Sequence, residues 1–368
     1  MKVVQVLFSG LGGHASVAFS MVDGDRDMQW DHHLIFYGIE PMNSEHEEKA
    51  RQRSLSFDMV LAIEGKPAKT WRKFYQGLKN ASPDVILLHS NSLTIPAWWY
   101  CCRHGKKLVI VEHTPNQVKR KIDKWTSILG QYVGDSVVLL TDDYYREMKE
   151  MQGWHFKNKK VRVIPNGIDT SLFKPAPKLK QDSLFHLGMA ARFSNTKSQD
   201  LLVKVMRQLE NSSPGKYKLS LAGDGDELNR VKQLAKELEL SDCINFTGSL
   251  DEKKLIPFLQ QLDIYLHASK GETMSTSIMQ AMSCGLPVIA SDIPGINNLV
   301  ANNGVVVENS ESSFVNAIMR LSVDEMQMRT FANDANRYAE SHFSNVRMFD
   351  SYNALVKQLC GGTGSGNW

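Results

Sequence analysis

Residues 262–292, LDIYLHASKGETMSTSIMQAMSCGLPVIASD, constrain this chain more than any other stretch. Leu262 to His267 and Leu286 to Ala290 are short apolar runs rich in β formers, as in parallel strands buried on both faces. Between them the spacing predicts a helix, with Ser275 or Ser277 as N-cap, Ile278, Met279 and Met282 as apolar stripe, and Gly285 with Pro287 as stop. The loop Lys270-Gly271-Glu272-Thr273 therefore leaves a strand's carboxyl end and enters a helix N-terminus, where ligands bind in open α/β sheets. Amides and the helix dipole there suit a phosphate, and Glu272 can accept hydrogen bonds from sugar hydroxyls. Taken alone, Glu272 reads first as a solvated loop carboxylate.

Glu272, seven further residues and then Gln280-Ala281-Met282-Ser283-Cys284-Gly285-Leu286-Pro287-Val288 change that reading. The stretch resembles the donor-binding segment of the retaining glycosyltransferases of family 4, where a Glu, seven residues and a second Glu open an EAM-x-x-G-x-PV run. Here the second Glu is Gln280. The resemblance implies that Glu272 orients the transferred sugar. It also implies that the helix start at Thr273, Met274, Ser275 and Thr276 faces the donor diphosphate, and that position 280 holds the ribose hydroxyls.

With 368 residues the chain is long for one core, so two domains are expected. A hydrophobic content of 42%, a charged content of 23% and 12 prolines describe an ordinary globular protein. The net charge of +3 is too small to argue for nucleic acid, and a basic surface must be local. One such patch is predicted between residues 103 and 124: Arg103, Lys106, Lys107, Lys119, Arg120, Lys121 and Lys124 against Glu112 and Asp123, flanked by Trp98, Trp99, Tyr100 and Trp125. It suits an anionic membrane surface, or is a solvated helix face over core aromatics. Five cysteines, two of them adjacent at 101 and 102, fit a reducing cytoplasm. No run approaches the roughly 18 apolar residues of a membrane span, so the expected location is cytoplasmic, with any membrane contact peripheral at the inner face.

From the N-terminus, Val3 to Phe8 reads as a strand, followed by the glycine turn Ser9 to Ala15 and a helix beginning near Ala15. Gly10, Gly12 and Ala15 match the dinucleotide fingerprint G-x-G-x-x-A, with Glu40 as a late acidic partner. The resembled family carries a Gly-Gly turn at this point, which implies that Gly12 and Gly13 let the backbone approach donor phosphates. Strands at 34–37, 57–63 and 85–89 alternate with helices at 45–53 and 68–79, the pattern of a parallel sheet covered on both faces. Asp84 to Ser90 resembles the family's D-x-h-x-x-H strand, though a buried, hydrogen-bonded role explains His89 nearly as well. The strand 107–112 ends at His113, and the resemblance places a His there beside the transferred sugar. Thr114 and Pro115 read as the start of the next helix. Thr141-Asp142-Asp143 reads as a helix cap rather than a metal site. Val161 to Pro175 carries the family's IPNGID-x-x-x-F-x-P junction, and the segment to Lys180 reads as a linker.

Beyond the junction, Arg192 and Lys197 stand five residues apart at a strand-to-helix turn and can neutralise a diphosphate from two sides. They match the family's R-x-x-x-x-K-G pair, with Ser198 in place of the Gly. Asp224-Gly225-Asp226 reads as a glycine turn opening a helix, not as a metal clamp. The strand 244–248 ends at Gly248, whose backbone is expected to lie against the donor base. Pro294-Gly295 opens a short helix, and 310–352 is mostly amphipathic helix.

The resemblance covers residues 160 to 310 most strongly. It implies an α/β chain of the GT-B fold, two Rossmann-like domains facing across a cleft: residues 1–166 on the acceptor side, 167–345 for the nucleotide sugar, 346–360 as a helix crossing back, and 361–368 as a flexible tail. It further implies transfer of a sugar, with retention, from a UDP- or GDP-sugar to a glycan or lipid-linked acceptor in cell-surface polysaccharide synthesis, with no metal or other cofactor required. The alternatives are a catalytically weak or silent sugar-nucleotide-binding protein, which Gln280 and Ser198 favour, and an NAD-dependent oxidoreductase built on Gly10 to Ala15.

Overall fold

The computed structural model describes residues 1–10, 13–116, 119–177 and 184–361, and the side chains of residues 13 and 14 are not among what it describes. Gly12, part of the predicted linker and the tail beyond Gly361 lie outside the described residues. These form two compact units: residues 1–167 with the helix that begins at Asn345, and residues 168–344.

In the first unit β1 (Lys2–Phe8), α1 (Gly13–Gly24), β2 (Asp31–Gly38), α2 (Ser44–Gln52), β3 (Ser56–Leu61), α3 (Pro67–Ala81) and β4 (Val85–Leu88) lead to α4 (Thr94–His104). After these come β5 (Lys107–Val111), α5 (Lys121–Val133), β6 (Ser136–Leu139), α6 (Asp142–Gln152) and β7 (Val161–Val163). All pairs are parallel, in the order β3-β2-β1-β4-β5-β6-β7. The chain winds outward from β1 and returns to its other side at β4, so the carboxyl ends of β1 and β4 flank the switch point where such sheets take ligands. Central strands such as Val85–Leu88 are buried at every residue, because helices cover both faces.

The second unit repeats this winding. It holds β8 (Phe185–Ala190), α7 (Gln199–Ser212), β9 (Tyr217–Ala222), α8 (Leu228–Glu237), β10 (Ile244–Gly248), α9 (Glu252–Gln260) and β11 (Ile264–His267). It continues through α10 (Thr276–Ser283), β12 (Val288–Ser291), α11 (Asn297–Val300), β13 (Gly304–Val307), α12 (Glu311–Leu321) and α13 (Glu325–His342). Its strands, again parallel, run β10-β9-β8-β11-β12-β13, which puts the switch between β8 and β11. The last helix, α14 (Asn345–Cys360), packs on α1 in the first unit. There Trp30 Nε1 donates to Asn353 Oδ1 at 2.9 Å and the Trp30 ring meets Phe349 edge-on at 4.8 Å.

The central unit β11–α10–β12 forms for local reasons. The Ser275 hydroxyl, not that of Ser277, caps α10 by accepting from the Ile278 amide. At the other end Gly285, with φ +70°, turns the chain left-handed. Its amide bonds the Met282 carbonyl and the Leu286 amide bonds that of Ala281, the pairing that closes a helix with glycine.

Two expectations need correction. Helix α1 starts at Gly13 rather than near Ala15. The helix expected at Thr114-Pro115 begins only at Lys121, where the Asp123 carboxylate accepts from the Arg120 amide at 3.0 Å and so caps that later position. The stretch 310–352 is helical over most of its length, as expected, and is divided among three helices, the first two capped by the side chains of Ser310 and Asp324.

Candidate active site

At the switch of the second unit, the loop after β8 is laced to the loop after β11. The Ser198 amide donates to the Ala268 carbonyl at 3.0 Å, the Lys270 amide to that of Thr196 at 2.8 Å, and the Ser269 hydroxyl to the same Thr196 carbonyl at 3.2 Å. This lacing brings together two residues 75 positions apart, for the Lys197 ammonium pairs with Glu272 Oε1. Their side chains retain 17% and 12% exposure. Burial pushes the ammonium down to about 7.

A third group, which sequence reasoning passed over as the end of a strand, completes the cluster. His267, fully buried as the last residue of β11, meets Glu272 Oε1 through Nε2 at 2.7 Å. Burial, reinforced by the charge of Lys197, holds its pKa well below the ordinary value. The ring is therefore neutral, and the carboxylate takes the one N–H at Nε2. An imidazole closing the short strand IYLH was the available signal.

Ser198, the departure from the expected Gly, is also built in. The Asn309 side-chain amide donates to its hydroxyl at 3.2 Å, and the Ser291 hydroxyl donates to Asn309 Oδ1 at 2.8 Å. Ser291 Oγ in turn accepts from the Ser269 amide at 3.0 Å. This chain of bonds holds the loops after β8, β11 and β13 and the end of β12 as one floor. Gly295 lets the loop after β12 close against it: with φ +86°, a Cβ there would lie 2.5 Å from the Glu272 carbonyl oxygen.

Of the other predicted residues, Arg192 is exposed on the loop that carries Lys197. Thr273, Met274 and Ser275 are buried between Glu272 and α10, and Thr276 opens that helix. Gln280 is half-buried one turn further on. Gly248 ends β10, separated from β8 by β9, and its carbonyl accepts from the Gly223 amide at 2.8 Å. Among the described residues, no group of three or more His, Cys, Asp or Glu is arranged to hold a metal ion.

In the first unit, Gly13 is the first residue of α1. His89 and His113 leave the carboxyl ends of the neighbouring strands β4 and β5, and His89 Nδ1 lies 2.8 Å from His113 Nε2. The expected basic surface is altered. Lys119 and Glu112 are 0% and 1% exposed and pair at 2.9 Å, so both leave the predicted patch. What remains outside is apolar as well as basic: Trp98 and Trp99 of α4 are 38% and 60% exposed and Trp125 of α5 is 71% exposed, beside exposed Arg103, Lys121 and Lys124. Tyr100 is buried. Among the described residues, no helix is long and apolar enough to cross a membrane.

Comparison with known proteins accords with this architecture. Residues 171–341 match the family Glycosyl transferases group 1, and residues 11–172 match Glycosyltransferase Family 4. An uncharacterized glycosyltransferase of Methanocaldococcus jannaschii is 25% identical over 311 residues, 79% of each chain. A UDP-Gal:alpha-D-GlcNAc-diphosphoundecaprenol alpha-1,3-galactosyltransferase of Escherichia coli is 26% identical over 314 residues, again 79% of each. The crystal structure of Anabaena HepE in complex with UDP-glucose superposes with a TM-score of 0.83 at 20% identity, covering 97% of this chain and 99% of that one. The two sheets, their winding and these matches together show that the chain belongs to the group 1, family 4 glycosyltransferases of the GT-B fold.

Proposed function

We propose that this glycosyltransferase moves a sugar from a nucleotide-diphosphate donor, a UDP- or GDP-sugar, to a hydroxyl of a glycan or lipid-linked glycan, with retained anomeric configuration. The observation that carries the reading is the Lys197–Glu272 contact at the switch point, one cation and one carboxylate on laced loops. The names of the relatives, one transferring galactose to a diphosphoundecaprenol-linked sugar and one crystallised with UDP-glucose, support donor and acceptor class. Arg192 and Lys197 take the diphosphate, joined by the α10 start at Thr273 to Thr276. Gln280 takes the ribose and the backbone at Gly248 the base. Glu272 orients the sugar, and in the first unit His113 is assigned to the reaction.

Acceptor oxygen forms its bond to the anomeric carbon as the bond to the phosphate oxygen breaks, and the acceptor's proton passes to that departing oxygen. The Arg192 and Lys197 charges stabilise the leaving diphosphate without a metal. The exposed Trp98, Trp99 and Trp125 with Arg103, Lys121 and Lys124 rest on an anionic membrane surface at the cytoplasmic face, as a lipid-linked acceptor in cell-surface polysaccharide synthesis requires.

A thermal-shift panel of UDP- and GDP-sugars, followed by product analysis with and without a chelator, tests this. Stabilisation by one nucleotide sugar and a product of unchanged anomeric configuration are expected. Stabilisation by nicotinamide dinucleotides alone overturns the reading, and donor binding without turnover replaces it with the silent binding protein. Flotation with phosphatidylserine vesicles but not phosphatidylcholine vesicles is the expected membrane result.

A further inference from the structure

The buried ion pair of the first unit is bonded to the loop after β4 and to α5 and α6. Lys119 Nζ donates to Glu112 Oε2 at 2.9 Å and to Ser127 Oγ of α5 at 3.0 Å, and it lies 3.4 Å from Met148 Sδ of α6. The other Glu112 oxygen accepts from Asn91 Nδ2 at 2.9 Å. Asn91 follows His89 by two residues, so this bond holds the loop after β4. Glu112 immediately precedes His113, so its backbone holds the loop after β5. On the far side of His113, the Tyr144 hydroxyl donates to the Thr114 carbonyl at 2.7 Å. Burial, with the Glu112 carboxylate adding to it, pushes that phenol well above its ordinary range and keeps it a donor.

A buried pair of charges does not explain itself as a source of stability. Removing both from water costs much of what their attraction returns, and apolar residues of similar volume commonly hold a core as well. What apolar residues lack is direction. Here each bond from the pair ends on a loop that carries one of the two histidines, or on a helix behind it.

We propose that Glu112 and Lys119 are positioning residues of the transfer reaction, their buried pair bracketing the loops after β4 and β5 so that His89 and His113 share one proton in a fixed orientation. The inference rests on the assignment of His113 to the reaction made above. Neither Glu112 nor Lys119 touches substrate in this scheme. They act by keeping the His113 ring in place, and a slight displacement of a reacting group is enough to cost about 100-fold in rate.

The experiment uses the full chain and the nucleotide sugar that stabilises it most, with donor hydrolysis as the rate and imidazole N–H signals by NMR as the structural readout. The joint variant E112L/K119M removes both charges and keeps an apolar core. It is expected to melt near the native temperature, to bind donor with unchanged KM, to lose about 100-fold in kcat, and to replace the shared His89–His113 proton signal with two independently titrating rings. N91A, which cuts only the bond to the β4 loop, is expected to weaken the same signal and lower kcat by a smaller factor. It decides the matter if the joint variant does not fold. A native shared-proton signal and native kcat in whichever variant folds overturn the proposal. H113A separates the two readings: unchanged kcat in that variant removes His113 from the reaction, whereas a loss in H113A with none in the joint variant removes only the positioning role.

Discussion

Each unit contains a Lys–Glu pair close to the switch of its sheet, and the two pairs differ in their access to water. Lys197 and Glu272 meet at 17% and 12% exposure, whereas Lys119 and Glu112 are sealed at 0% and 1%. A pair that water and solutes reach can exchange partners, so a diphosphate can claim the lysine and sugar hydroxyls the carboxylate. A sealed pair has no such exchange open to it and acts as a fixed strut. On the proposed reading one chemical pairing serves two tasks on one topology, and the difference in burial separates them.

The largest expected difference is in stability. Lys119→Met alone strands the Glu112 charge in the core and should cost about 3–5 kcal/mol, while Lys197→Met, which leaves Glu272 the His267 N–H and access to water, should cost less. Urea unfolding measures both, and equal losses would erase the distinction. Next comes catalysis at the accessible pair. Glu272→Gln keeps a hydrogen-bonding group but loses its charge and alters its geometry, and should lower kcat by about 100-fold with the fold intact by circular dichroism.

Arg192→Ala should weaken donor binding by about 10-fold to 30-fold, the loss of a charge-assisted fork worth about 1.5–2 kcal/mol, as calorimetry with the nucleotide diphosphate would show. The pH dependence should appear at the accessible pair. With its pKa near 7, Lys197 is charged below that value and progressively neutral above it. Donor affinity should therefore fall as pH rises, by no more than about tenfold per unit, and Lys197→Arg should flatten the slope because a guanidinium stays charged. The smallest change expected is a gain: Gln280→Glu should tighten donor binding through the ribose by about 1 kcal/mol. No change would remove that residue from the site.

Much of the second unit was legible before any coordinates. A cap at Ser275, a stop at Gly285 and apolar runs on either side are decided within a few residues, so β11, α10 and β12 follow from local rules. Arg192, Lys197 and Glu272 were singled out by the family motifs they match at strand ends, for taken alone each reads as surface charge, and the fold brings Lys197 and Glu272 into contact. His267 was not, because an imidazole closing an apolar strand reads as core until the partner five residues away folds back on it. Glu112 and Lys119 were misread as surface charge for a related reason. Charged residues are ordinarily solvated, and nothing local reveals that Asn91, Ser127 and Tyr144 converge on them from three other segments.

What the string of residues settled was therefore short in range: where strands and helices begin and end, that two parallel sheets result, and which loops leave carboxyl ends. Who meets whom across those loops was decided only when strand order put β4 beside β5 and β8 beside β11. Periodicity and capping act over a turn or two of chain, whereas the partner and the burial of a charge depend on segments that folding alone makes neighbours.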